Sequence, residues 1–255
     1  MPSLLIINPN LSTTVTQKLA DHARARVAAL PAGTAAPDLH CINARFGAAY
    51  ISSETSFAIA SHALLDTYAA WVQQQGREPD ATLIGCFGDP GLLALREGTT
   101  RPVSGLASAA FAAAARHGRF AIVTGGERWR PMLQRLAASL GFADTLAEVF
   151  TVAPTGGQLA ADPAGALRLL TDACRQVAER HRLDAVILGG AGLAGLAAAI
   201  QPAVPVPVID SVLAGLDDAL GSLGIGPAGD RPPQPGDAEW RGLSPELTGW
   251  LRGRI

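Results

Sequence analysis

The chain has 255 residues, 48% apolar and 16% charged, with a net charge of −2, the profile of a globular protein with ample core and not of a disordered one. No basic block interleaves with aromatics, which excludes a nucleic-acid surface, and the apolar runs are short and broken by glycine, which excludes a membrane span. Cys41, Cys86 and Cys174 are odd in number and far apart, and the N-terminus has no basic segment before an apolar one; both features predict a cytoplasmic protein.

The apolar run Leu4-Leu5-Ile6-Ile7 predicts a strand ending at Asn8. Helical periodicity follows over about 12–30, with Ser12, Thr13 and Thr14 as candidate N-caps. A strand over 38–42 leads to a loop over 45–51 with glycine and aromatics, then to a long helix over 54–75. A third strand, 81–85, runs into Cys86, and Asp89-Pro90-Gly91 opens the next helix with Asp89 as its cap. A short apolar stretch, 102–106, precedes an alanine-rich helix ending near 117–118.

The scheme then repeats. Strands are predicted at 120–123, 147–152 and 185–189, and helices at 128–140, 163–180 (capped by Asp162) and 193–200. Residues 205–210 are expected to return the chain to the first lobe, followed by a helix over 211–223. Four prolines and three glycines make 227–242 an irregular tail, and Ser244-Pro245-Glu246 caps a short helix carrying Trp250. Strands alternating with helices of this length predict an α/β fold of mostly parallel sheets. The expected division is lobe 1 over 1–103, completed by about 205–225, lobe 2 over 104–204, and a tail over 226–255.

Two strand ends carry the same pattern: Leu83-Ile84-Gly85-Cys86-Phe87-Gly88 and Ile187-Leu188-Gly189-Gly190-Ala191-Gly192. Duplicated strand–loop–helix units predict two pseudo-symmetric lobes facing one cleft, with position 86 opposite position 190. Ligands of open parallel sheets bind beyond the carboxyl ends of strands. Four such ends stand out: Asn8-Pro9-Asn10, the Cys86 loop, Thr124-Gly125-Gly126 and the Gly190 loop. Each precedes a helix, whose free N–H groups suit a carboxylate, an imide anion or a developing enolate. Cys86, flanked by Gly85 and Gly88 ahead of a helix start, has the setting that lowers a thiol pKa. Cys41 and Cys174 fall inside strand and helix patterns, where core roles are expected.

Lys18 is the sole lysine and falls on the expected exposed face of the first helix, which argues against pyridoxal phosphate. The five histidines lack metal-ligand spacing, so neither a metal nor a cofactor is expected.

These loops resemble the hydantoin racemase branch of the aspartate/glutamate racemase superfamily. The likeness is carried by Ile6-Ile7-Asn8-Pro9-Asn10 with Ser12-Thr13, by Phe46-Gly47-Ala48-Ala49-Tyr50-Ile51, by Cys86-Phe87-Gly88-Asp89-Pro90-Gly91 with Arg96-Glu97, and by Val206-Pro207-Val208-Ile209-Asp210. It spans about 3–220. The resemblance implies a cofactor-independent isomerase in which two cysteines face opposite sides of a substrate stereocentre. Cys86 matches the first. The second belongs to a Gly-Cys-Ala-Gly motif that here reads Gly189-Gly190-Ala191-Gly192, and Ser108 stands where members often have an acidic residue. Three accounts fit the missing thiol: another acid or water on the second face, a substituted racemase, or single-thiol chemistry as in the related arylmalonate decarboxylases, whose lone cysteine lies in the other lobe.

The resulting expectation is an enzyme acting at the acidic α-carbon of a small amino-acid derivative such as a 5-substituted hydantoin. A cleft that holds an anion without turnover is the competing expectation. Cys86 is the acid/base and Gly190 marks the missing thiol. Asn10, Ser12, Thr13, Phe87, Gly88, Asp89, Thr124, Gly125, Ala191 and Gly192 bind the carboxylate or imide, largely through backbone N–H groups. Exchange of the α-proton is expected to favour one enantiomer. Homo-oligomerisation is left open.

Overall fold

The computed structural model of the chain describes residues 1–154, 156–226 and 239–253. The first half runs β1 (Ser3–Asn8), α1 (Thr13–Ala28), β2 (Asp38–Asn43), α2 (Glu54–Gln75), β3 (Ala81–Ile84), α3 (Leu92–Gly98), β4 (Val103–Gly105) and α4 (Leu106–Ala115). The second runs β5 (Phe120–Gly125), α5 (Trp129–Ser139), β6 (Leu146–Val152), α6 (Gly156–Ala161), α7 (Pro163–His181), β7 (Ala185–Gly189), a 3-10 turn at Ala191–Leu193, α8 (Leu196–Ile200), β8 (Val208–Asp210) and α9 (Ser211–Gly221). A terminal helix, α10 (Pro245–Leu251), packs on α2. Most of the tail expected to be irregular, 227–238, lies outside the described residues.

Two four-stranded, all-parallel sheets have the same order, β2-β1-β3-β4 and β6-β5-β7-β8. The central strands β1 and β5 are buried along their whole length. That explains why they read as unbroken apolar runs: helices cover both faces of a parallel sheet, so neither side of the strand meets water. The expected α/β fold with two similar lobes is the one observed.

One expectation is corrected. The segment ending at Asp210 was expected to return to the first lobe, but β8 pairs with β7 in register Val186↔Val208 and completes the second sheet. A three-residue strand takes whichever open edge lies beside it, and the edge of β7 is to the second lobe what the edge of β3 is to the first. The return is made one element later. α4 follows β4 yet packs on β7 and β8, α9 follows β8 yet packs on β3 and β4, and the two helices pack on each other. Their approach is close: a Cβ at Gly215 would lie 2.7 Å from Leu106 Cδ2. The cleft is therefore held by a reciprocal exchange of helices.

Candidate active site

A cavity of about 500 Å³ opens at the carboxyl ends of both sheets. Its lining draws on all four loops singled out in the sequence: Asn10 and Ser12 after β1, Cys86 and Phe87 after β3, Thr124 and Gly125 at the end of β5, and Gly190, Ala191 and Gly192 after β7. Thr13, Gly88 and Asp89, expected to contact ligand, are not part of it.

The first loop is a knot of amides. Asn8 Nδ2 donates to Asn10 Oδ1 (2.9 Å), to the Ser12 carbonyl (3.1 Å) and to Thr16 Oγ1 (3.0 Å). Asn10 Oδ1 also accepts from Ser12 N (2.8 Å). The Asn10 oxygen is thus committed to the loop, and its amide NH₂ is the end left to meet a ligand. Ser12 Oγ caps α1 by accepting from Val15 N at 3.3 Å. Thr13, one residue on, is the exposed first residue of the helix.

Cys86 sits at the end of β3 and is 8% exposed. Gly85 before it has no room for a side chain: a Cβ would lie 2.6 Å from Leu19 Cδ1. The expected lowering of the thiol pKa is not found. Burial pushes the Cys86 thiol up, and the nearby Asp89 carboxylate pushes it further. The reason is structural. α3 begins only at Leu92, beyond a turn with Asp89 at φ +51° and Gly91 at φ +81°, so Cys86 is not at the N-terminus of that helix. At neutral pH Cys86 is a proton-bearing thiol.

Asp89 does cap a helix, but a different one. Its carboxylate accepts from Ala107 N (2.8 Å) and Ser108 N (2.7 Å) at the start of α4. It is buried, and burial raises its pKa to about 6 against the pull of those N–H groups, so it keeps its charge at neutral pH. It fastens the cysteine loop to the crossing helix, and as a buried carboxylate it would repel an anionic ligand rather than hold one. Ser108, at the position often acidic in the resembling family, receives Gly105 N on its hydroxyl at 3.2 Å. Gly88 serves packing: with φ +129°, its missing Cβ would fall 2.4 Å from the Trp129 ring, which closes one side of the cavity.

The opposing loop is built of contacts between lobes. A Cβ at Gly189 would meet the Phe87 ring at 2.2 Å, so Phe87 of the first lobe packs directly on the second. Thr124 Oγ1 donates to the Gly189 carbonyl (2.8 Å) and Gly190 N to Ser211 Oγ (3.2 Å). Gly190 has φ +143°, a backbone conformation that side chains of L-residues rarely tolerate.

The sequence reading missed part of the wall. Ala49, Tyr50 and Ile51 line the cavity, as do Thr14, Val15, Trp129, Gln158 and Leu193. The glycine- and aromatic-bearing loop at 45–51 was the available signal for the first group. Lys18 is a correction: it is half-buried and lines the cavity. The face of α1 that looks solvent-exposed within one lobe is the face that meets the other. Among the described residues no three His, Cys, Asp or Glu side chains cluster as metal ligands, and no helix is long and apolar enough to cross a membrane.

Residues 4–219 match the Asp/Glu/Hydantoin racemase family. The sequence is 35% identical to a hydantoin racemase of Paenarthrobacter aurescens over 88% of this chain and 92% of that protein. It is 30% identical to a hydantoin racemase of Pseudomonas sp. (strain NS671) over 87% and 86% of the two chains. Among solved structures, an allantoin racemase from Klebsiella pneumoniae superposes with a TM-score of 0.80 at 30% identity, covering 98% of this chain and 99% of that one. The duplicated sheets, the shared cleft and these likenesses agree: the chain belongs to the Asp/Glu/hydantoin racemase family and is an isomerase of the racemase type.

Proposed function

We propose that this racemase acts, without a cofactor, at the acidic α-carbon of a small cyclic or acylated amino-acid derivative such as a 5-substituted hydantoin, with Cys86 as acid/base on one face. The observation that carries the reading is the position of Cys86: it supplies the one thiol in the cavity lining, at the strand end facing the Gly190 loop. Substrate lies between the two loops. When the α-carbon's C–H bond breaks on the Cys86 side, the proton passes to sulfur as thiolate becomes thiol, and charge moves onto the adjacent carbonyl oxygen. Backbone N–H groups of the Gly125 and Ala191–Gly192 segments are the proposed donors to that oxygen, the arrangement that stabilises a developing enolate. Protonation runs the same step backwards from the thiol, the form in which burial holds the free enzyme.

The experiment is α-proton exchange in D₂O with the separate enantiomers of 5-benzylhydantoin. Cys86→Ser should lose exchange of the enantiomer whose α-hydrogen points at position 86, with ligand binding kept within about tenfold; unchanged exchange of both rules the assignment out. A single thiol in the cavity also favours a second reading, protonation of the enolate left when an arylmalonate loses CO₂. Release of CO₂ from phenylmalonate, together with no exchange of hydantoin, would select it.

A further inference from the structure

Lys18 was expected to be solvent-facing, and its actual place has no counterpart in the mechanism above. It is the sole lysine of the chain and, among the described residues, the sole charged side chain lining the cavity. Among the described residues its ammonium forms no ion pair or hydrogen bond. The nearest acid on its own helix, Asp21, is taken by Gln17 (2.8 Å) and Arg24 (2.8 Å). Among the described residues this half-buried cation, at an otherwise neutral and largely apolar wall, has no protein partner, which leaves it available to a ligand or to its reaction.

Its side of the cavity is the one where the second thiol is missing. α1 packs on the 3-10 turn Ala191–Leu193 that follows Gly190. One turn beyond Lys18, a Cβ at Gly195 would lie 3.4 Å from His22 Cε1, so this face of α1 runs along the glycine loop. Thr14, Val15 and Lys18 present that face to the cavity. With no side chain at 190, a longer one can reach the space that loop leaves open.

We propose that Lys18 is the proton-transfer group of the second face, working as the partner of Cys86; the inference rests on the racemase reading given above. The cycle balances with one shared proton. In one direction the Cys86 thiolate takes the α-proton, breaking C–H and forming S–H. The Lys18 ammonium then gives a proton to the opposite face, breaking N–H and forming C–H. The protein is left with a thiol and an amine, the state from which the mirror-image substrate reacts in reverse. The two working forms, thiolate with ammonium and thiol with amine, hold the same number of protons and no net charge, and the free enzyme, in which burial keeps Cys86 a thiol, enters the cycle by releasing one proton. Exchange by the unmodified protein is then two-sided, which replaces the expectation of one-sided exchange.

The test follows each enantiomer of 5-benzylhydantoin in D₂O with the unmodified protein, Cys86→Ser, Lys18→Met and Lys18→Arg. Positioned acid–base groups contribute about 10²–10⁴-fold, so Lys18→Met should lose that much exchange of one enantiomer while exchanging the other. Cys86→Ser should show the opposite preference. Lys18→Arg keeps the charge but cannot release a proton, and should behave as Lys18→Met does. The proposal is overturned if Lys18→Met slows both enantiomers equally, if it slows neither, or if Lys18→Arg restores exchange, since charge alone would then suffice. Cys86→Ser separates the two levels. A normal cysteine phenotype beside a silent lysine removes only the lysine assignment, whereas full two-sided exchange without the thiol removes the racemase reading itself.

Discussion

The loops after β3 and β7 occupy equivalent places in two sheets of the same strand order, and both lead towards a helix that crosses to the other sheet. They also share a fastening device. Asp89 caps α4 from the cysteine loop, and Asp210 caps α9 while accepting Gly195 N at 2.7 Å from the glycine loop. What differs is the residue aimed at the cavity and the backbone beneath it. Cys86 is reached by an ordinary strand end, whereas Gly190 lies at φ +143°. The two frameworks match while the side chains they present differ, and the chain at 190 has a conformation suited to glycine.

That contrast can be broken most decisively at Cys86, where serine should cost about 10²–10⁴-fold in exchange of one enantiomer; NMR in D₂O reads this directly. Next in size is the fastening. Asp89→Ala strands two buried N–H groups at about 1–3 kcal/mol each, so a loss of about 2–6 kcal/mol is expected from urea unfolding. A loss below about 1 kcal/mol would show that α4 does not depend on this cap.

Gly190→Cys probes the other side. A side chain there has room, its Cβ lying 3.4 Å from Leu193, but the backbone strain should cost about 1–3 kcal/mol. Gly190→Ala should show the same loss without a thiol, and an unchanged midpoint for both would mean the loop relaxes freely. The smallest effect is chemical. Cys86, whose thiol is pushed up by burial, should react with iodoacetamide at pH 7 about tenfold more slowly than the less buried thiol of Gly190→Cys, because only the thiolate is nucleophilic. Peptide mapping distinguishes both from Cys41 and Cys174, which burial raises to about 11 and about 12. Faster labelling of Cys86 would mean a thiolate is present in the free enzyme.

Much of this architecture was legible because its signals are local. Fully buried strands such as β1 and β5 are apolar from end to end, and strand-end glycines mark the turns into helices, so the four loops of the cleft could be named from the chain alone. What escaped depends on distant partners. Asp89 reads as the cap of the helix immediately after it, yet its acceptor role is filled by N–H groups at 107 and 108. Lys18 reads as solvated because periodicity reports which helix face is polar, not which polar face meets a second lobe. β8 is too short for its sequence to specify a sheet. The expected lowering of the Cys86 pKa followed from a helix start placed two residues too early, and burial decided the sign.

The exchange of α4 and α9 has a consequence for motion and assembly. A two-lobed protein joined by simple strands can open like a book, since its hinge residues absorb the rotation. Here each lobe carries a helix rooted in the other, and the two helices lie against each other, so opening the cleft by rotation would drag both across their neighbours. Substrate entry must then come from small sliding of packed helices or from local movement of the loops at the rim. The same clasp binds the halves during synthesis. The first sheet lacks part of its cover until α9 emerges, so a chain stopped after α4 should leave an apolar face open and seek that helix from another molecule.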